Sequence, residues 1–339
     1  MAKSIEFDNL IILKNDDCLL KKPYVEKREN RKPKVGKVPR ILVLLSTYNG
    51  ERYLREQLDS ILNQDKVEVF ILVRDDGSSD STLEILTEYE CKGFPLKFYQ
   101  GSNVGPAASF NNLISHELCE KFDFYAFSDQ DDVWLKDKLW NAFTKLSLLD
   151  VDEVPCLYCS NLIVTDSSLN PLHLMRKPNI HISHKTLIVQ DFSAGCTQLF
   201  NRMARESYIR GIDCSMDMHD YWLALTCVFL GQVIFDKTPQ ILYRQHNDNV
   251  IGARKMGIKD AVSSIINKNQ NKHSLMLSEF YDINKEYLPM KDSNIIRAIP
   301  SMSYSIPARL WLLFSPEFRG YDIKVTIGFK LRVLLNRMY

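Results

Sequence analysis

The chain has 339 residues, 45% of them apolar, and sets 43 Lys and Arg against 42 Asp and Glu. That apolar share builds a sizeable core and excludes a disordered chain, while the balanced charge excludes the net basic footprint of a nucleic-acid-binding domain. Its eight cysteines are scattered; the one close pair, Cys156 and Cys159, lacks the second pair of a zinc ribbon, so all are expected to be reduced.

Residues 1–39 are polar and Lys-rich, ending in Arg31-Lys32-Pro33-Lys34-Val35-Gly36-Lys37-Val38-Pro39, and read as an extended segment without helix or sheet. The opening residues lack the order of a signal peptide, and no window has the apolar length of a membrane span, so a cytoplasmic protein is expected. Arg40 to Leu45 is an unbroken run of β-formers, as in a strand buried on both faces, and polar Ser46-Thr47-Tyr48-Asn49-Gly50 follows it. A helix carrying Leu54, Leu58, Ile61 and Leu62 on one face comes next. The unit repeats with a strand over 69–73, the turn Asp75-Asp76-Gly77-Ser78-Ser79-Asp80 and a helix over 82–89, for which Asp80 is the expected cap. A third strand over 96–99 leads to Gly101-Ser102-Asn103-Val104-Gly105-Pro106 and a helix over 107–115. A fourth, over 124–127, ends on Ser128-Asp129-Gln130-Asp131-Asp132.

This alternation predicts an α/β fold with a mostly parallel, Rossmann-like sheet and right-handed crossovers, whose polar loops gather at the carboxyl ends of the strands where ligands sit. Strands are expected at 156–164, 193–200, 233–235 and 240–243, with an apolar helix over 221–230. Residues 40–255 thus form one domain, in halves 40–150 and 151–255, followed by a helical, basic and apolar region over 256–339.

Asp129 and Asp131, two residues apart after a strand, suit a divalent cation, and Asp132 adds a third carboxylate; a solvated acidic turn is the competing account. The order of loops is more specific. Ser46 to Gly50, Asp75 to Asp80, Asn103-Val104-Gly105 and Ser128 to Trp134 together resemble glycosyltransferase family 2, with its GT-A fold, and in detail its bacterial rhamnosyltransferase-type members. The resemblance covers roughly residues 40–255. It implies transfer, with inversion, of a sugar from a nucleoside diphosphate to an acceptor hydroxyl, with Mg2+ or Mn2+ neutralising the leaving diphosphate.

By this resemblance Thr47, Asn49, Glu51, Asp75 and Asp76 hold the nucleotide, and a carboxylate facing a pyrimidine can accept from its ring N–H. The Asn103 loop lacks the basic residue often present there, which leaves Gln100 or Asn103 to make its contacts. Asp129 serves nucleotide and metal, and Asp131 is the better direct ligand. Asp220, in a His219-Asp220 pair that replaces the family's acidic-Asp pair, takes the place of the general base; alone it would read as a helix cap. In Tyr243-Arg244-Gln245-His246-Asn247-Asp248-Asn249, His246 is a further metal ligand and Arg244 a partner for the diphosphate, with a polar-loop His as the plainer account. Ser193-Ala194-Gly195-Cys196 resembles the acceptor-side Gly segment of the family, although a tight turn would read the same way.

The Gln-x-x-Arg-Trp motif of processive synthases is absent, which favours addition of one sugar or a few. The resemblance makes a dTDP- or UDP-sugar the donor, dTDP-rhamnose first, and a lipid-linked surface glycan the acceptor. Residues 309–337 mix Trp and aliphatic residues with Lys and Arg, as a helix on the anionic inner-membrane surface would, or one packed on the domain or a subunit. Two other classes fit the acidic loop: a nucleotidyltransferase, for which Ser46 to Glu51 is a poor phosphate loop, and a non-catalytic sugar-nucleotide or glycan-binding module.

Overall fold

A computed structural model describes residues 18–20, 38–177, 180, 182–246 and 272–336. The alternating units form as their composition dictates. Strand β2 (Arg40–Thr47) sends Ile41, Val43 and Leu45 into one apolar cluster and Leu42 and Leu44 into another, the period-two division of a strand covered on both faces. Helix α1 (Leu54–Leu62) follows, then β3 (Glu68–Asp75), α2 (Thr82–Cys91), β4 (Leu96–Gln100), α3 (Pro106–Ser115) and β5 (Phe124–Ser128). These four strands pair in parallel in the order β5-β2-β3-β4, with Thr47 opposite Asp75 and Asp75 opposite Gln100. The register brings their carboxyl ends level, so the polar loops open on one edge.

Next come β6 (Val133–Trp134), α4 (Lys138–Leu146), β7 (Cys156–Thr165) and β8 (Pro171–Leu174). Helix α5 (His184–Val189), β9 (Leu199–Asn201), α6 (Arg202–Ile209), α7 (His219–Leu230) and β10 (Gln232–Arg244) complete the sheet region. The sheet continues β5-β9-β7-β10, with β9 antiparallel to both neighbours and β7 parallel to β10. The chain thus has a mixed, mostly parallel sheet flanked by helices, as expected.

Three expectations are corrected. Cys18–Leu20, placed in a segment without sheet, is a short strand β1 that pairs antiparallel with β10. The strand expected over 193–200 is instead a 3-10 turn over Gly195–Thr197 with only Leu199–Asn201 extended. The two closing strands are one: register shifts near Pro239 absorb its missing N–H, and pairing with β7 resumes at Leu242.

Helices α8 (Lys272–Asn284), α9 (Met290–Ser301), α10 (Ile306–Phe314) and α11 (Ile323–Leu334) follow. Met276, Phe280, Ile296, Leu312 and Phe329 share one apolar cluster with nearly all of α7, so these helices extend the core of the sheet region. The turn from α7 into β10 is tight: a Cβ on Gly231 would lie 1.8 Å from the carbonyl oxygen of Pro155. Gly231→Ala therefore forces backbone to shift and is expected to cost about 1–3 kcal/mol, read as a lower Tm in thermal denaturation.

Candidate active site

At the level carboxyl ends of β2, β3 and β5 lies a cavity of about 1190 Å3, larger than the usual site for one small ligand, roughly 300–1000 Å3. Its walls come from the loops after β2, β4 and β5, from β8, from the segment before β9 and from the start of α7. Thr47, Asn49, Asp76, Asn103, Asp129, Asp131, Asp220 and His246 all line it.

The first loop is locked to the acidic loop by Gln130. Its side-chain oxygen accepts from Thr47 Oγ1 at 2.5 Å and from the Tyr48 amide at 2.8 Å, and its Nε2 donates to the Tyr48 carbonyl at 3.0 Å. Gly50 permits this approach, because a Cβ there would meet Gln130 Oε1 at 2.3 Å. Asn49 adopts a left-handed φ of 48° and its Oδ1 accepts from the Ser79 amide at 2.9 Å, joining the first loop to the second.

Three residues expected at the nucleotide do not line the cavity. Glu51 accepts from the Ser81 amide at 3.0 Å and so steadies the start of α2; the cap of that helix is Ser81 and not Asp80 as expected, and Asp80, one residue earlier, accepts from the Thr82 amide and hydroxyl. Asp75 is fully buried and accepts from the amides of Gly77 and Ser78 and the Ser78 hydroxyl, which holds the turn. Arg244 is buried, donating to the carbonyls of Asp131 at 2.9 Å and Ser167 at 2.7 Å and pairing with Glu56. Its guanidinium braces the acidic loop from behind instead of facing a phosphate. Asp76 does reach the cavity, but its carboxylate also pairs with buried Arg74 and accepts from the amides of Val104 and Gly105, so it sets the Asn103 loop.

The acidic loop divides its carboxylates. Asp131 Oδ2 lies 2.7 Å from His246 Nε2. Asp129 gathers with Asp132 and Cys196, whose ligand atoms all lie within 4.8 Å of one another. The expected trio of Asp129, Asp131 and His246 is thus not drawn into one cluster here. Cys196 makes a poor ligand for a hard cation: burial pushes its thiol well above the usual range, and the protonated sulfur pairs with Asp132. Burial and the neighbouring charges of Asp131 and Asp220 push Asp129 up to about 7, while burial first and then Asp131 and Asp129 push Asp132 well above the carboxylate range. Asp132 Oδ2 is buried without a hydrogen bond. Crowded carboxylates that resist ionisation, with the orphaned Asp132 Oδ2 among them, offer the hard oxygen donors that a divalent cation such as Mg2+ or Mn2+ prefers.

Across the cavity, Asp220 lies inside the first turn of α7 and not at its cap, which is Met218. Its oxygens accept from the amides of Gly195 at 3.0 Å and Tyr221 at 2.8 Å. Burial raises its carboxyl to about 6, with those two N–H groups opposing the rise. Gly195 is needed for closeness: a Cβ would come 3.0 Å from His219 Nε2 and 3.2 Å from Asp220 Cβ. His219 stacks on Phe110 at 3.8 Å between centroids, and burial lowers it to about 3, so the imidazole is neutral.

Residues 42–208 match the family model described as glycosyl transferase family 2. The chain carries a glycosyltransferase family 2 domain. The dTDP-rhamnosyl transferase RfbG of Shigella flexneri is 29% identical over 231 residues, covering 62% of this chain and 74% of that protein. Two structures of S. aureus TarS residues 1–349 superpose with a TM-score of 0.51, one in complex with UDP (17% identity, 82% of this chain and 80% of that one) and one with UDP-GlcNAc (16%, 88% and 93%). At that identity they show a shared fold, the GT-A fold. The nucleotidyltransferase and binding-module alternatives fall with the family assignment.

Several wall residues of the cavity were not singled out from the sequence. Arg52 and Tyr53 follow the first loop, and Arg52 lies over the Tyr53 ring at 4.9 Å. Tyr53 in turn meets the His246 ring at 5.0 Å. Arg176 and Asp191 enter from the segment after β8 and from the end of α5; Asp191 is pushed up to about 7 by burial and by Asp220. A charged residue just after a glycine loop hinted at Arg52, whereas Arg176 and Asp191 meet only through the tertiary fold.

Proposed function

We propose that this transferase moves a sugar, rhamnose in the first instance, from a dTDP- or UDP-sugar to a hydroxyl of a lipid-linked surface glycan, with inversion and with Mg2+ or Mn2+. It would work on the cytoplasmic face of the membrane. The observation that carries the reading is one large cavity with an acidic, cation-seeking loop on one wall and Asp220 on the other. Likeness to the rhamnosyl transferase supports the donor.

The nucleotide lies along the first loop, with Thr47, Asn49, Asp76 and Asn103 around it, and Arg52 takes the diphosphate-facing role once expected of Arg244. Asp129 and Asp131 with His246 would hold the cation, which when bound acts as a Lewis acid on the diphosphate. Asp220 accepts the proton of the acceptor hydroxyl as its oxygen attacks the anomeric carbon from the face opposite the leaving group. The amides of Gly195 and Tyr221 fix the direction of that carboxylate, so its free lone pairs face the cavity. Neutral His219 beside it adds no cation that would suppress its basicity.

Nucleotide release with a panel of donors, Mn2+ and a soluble glycosyl acceptor tests the reading. Release is expected to be fastest with dTDP-rhamnose. Faster turnover of another donor overturns the rhamnose assignment, and no release above buffer with any donor overturns the substrate class.

A further inference from the structure

The last two helices carry apolar residues on the side facing away from the core as well as on the side facing it. On α11, Phe329 and Val333 are buried, while Ile323, Ile327, Leu331 and Leu334 are exposed, Ile323 by 70%. Their spacing of four, four and three places the exposed set on one face. At about 3.6 residues per turn, Lys324 and Lys330 fall on the two edges of that stripe. Helix α10, packed beside it, repeats the arrangement: Leu312 is buried, whereas Ile306, Leu310 and Phe314 recur every fourth residue and are exposed by 71%, 47% and 78%. Lys330 Nζ joins the pair, donating to the Ser315 carbonyl at 3.0 Å and to that of Leu312. Burying one such side chain is favourable by more than an ordinary surface contact returns, so a double stripe on adjacent helices marks a surface built to be covered.

We propose that α10 and α11 form a lipid-docking face that seats the apolar stripes in the headgroup region of an anionic bilayer. Charge chooses this occupant over a second copy. On α11 Lys324 is exposed and Lys330 half-buried at the edges of the stripe, Arg332 lies buried on the core side, and the helix holds no acid; α10 holds Arg309 and no acid. A twofold contact would set the same lysine-edged stripe against itself and oppose like charges, whereas an anionic leaflet neutralises them. No helix among the described residues is long and apolar enough to cross a membrane, so the chain would lie on the surface. The proposal draws its purpose from the lipid-linked acceptor of the preceding section, but its test needs no acceptor.

The full chain is sedimented with vesicles of phosphatidylcholine alone and with vesicles in which a third of the lipid is phosphatidylglycerol. It is expected to bind the anionic vesicles at least about tenfold more tightly, and the double variant Phe314→Asp, Ile327→Asp to lose that binding. Both side chains are exposed, so the variant should retain wild-type melting and wild-type nucleotide release with a soluble acceptor. Lys324→Glu should shrink the preference for anionic lipid. Equal binding by wild type and double variant, or none by either, overturns the proposal. So does a wild-type dimer in light scattering that the double variant turns into a monomer, since the stripes would then be a subunit interface. Failed nucleotide release alongside intact vesicle binding would instead overturn the substrate reading alone.

Discussion

Asp220→Asn is expected to lower the turnover of glycosyl transfer by about 10^2–10^4-fold while leaving nucleotide affinity near that of the wild type. Asparagine keeps the size of the side chain, and its oxygen can still accept from the Gly195 or Tyr221 amide, so the geometry survives and the proton acceptor does not. The pH profile sharpens the assignment. Burial raises the Asp220 carboxyl to about 6, so a base at this position is protonated and inactive below that value, and turnover should climb as pH rises through about 6 and then level off. A variant that stays fully active, or a wild-type profile with no acid limb, would remove Asp220 from the role.

Asp131→Ala is expected to weaken metal-dependent nucleotide binding by at least about 10–100-fold, the loss typical even of partners that only orient a ligand. Isothermal titration with Mn2+ and nucleotide, each with and without the other, reads it directly. The variant also strips His246 of its 2.7 Å partner. His246→Ala should therefore lose part of the same binding if the two residues share a cation, and none of it if they only pair with each other. Acid chemistry supplies a second readout. The folded-state pKa of Asp129 rises from its ordinary 3.8 to about 7, and burial and the neighbouring carboxylates also push Asp132 well above the carboxylate range, so the folded state binds more protons than the unfolded one across that window. The metal-free protein should lose stability as pH rises from about 4 to 7 on account of these groups. A divalent cation displaces those protons, so its stabilisation should grow over the same range, reaching about 2.7 kcal/mol at a hundredfold excess over its Kd.

How much of this was legible beforehand depended on whether the deciding contacts were local. The parallel strands β2 to β5 announced themselves because each is a short run of β-formers that ends on a polar loop, and their right-handed order placed those loops on one edge. Asp220 and Gly195 could each be singled out from the sequence, whereas what joins them, one backbone amide across 25 residues, could not. The surroundings of Arg244 were hidden for the same reason. An arginine after a strand looks like a phosphate ligand, yet its partners are at Glu56, Asp131 and Ser167, on three elements that no spacing connects. Asp75 has the opposite history: its neighbours Gly77 and Ser78 formed a visible Asx-type turn, and the turn claims its carboxylate. β10 looked like two strands because Pro239 breaks a pattern that two register shifts repair.

The two ends of the cavity are fixed with unequal firmness. The end beside the acidic loop is tied by half-buried Gln130 and by buried Arg244 and Asp76, so a substitution there disturbs several loops at once. At the opposite end the wall includes the edge strand β8, four residues long, where Leu172 is 58% exposed and His173 faces the cavity. Few contacts would have to be rebuilt to reshape that margin. Drift along β8 could therefore change the shape of one margin of the cavity while the loops at the carboxyl ends of the parallel strands stay as they are.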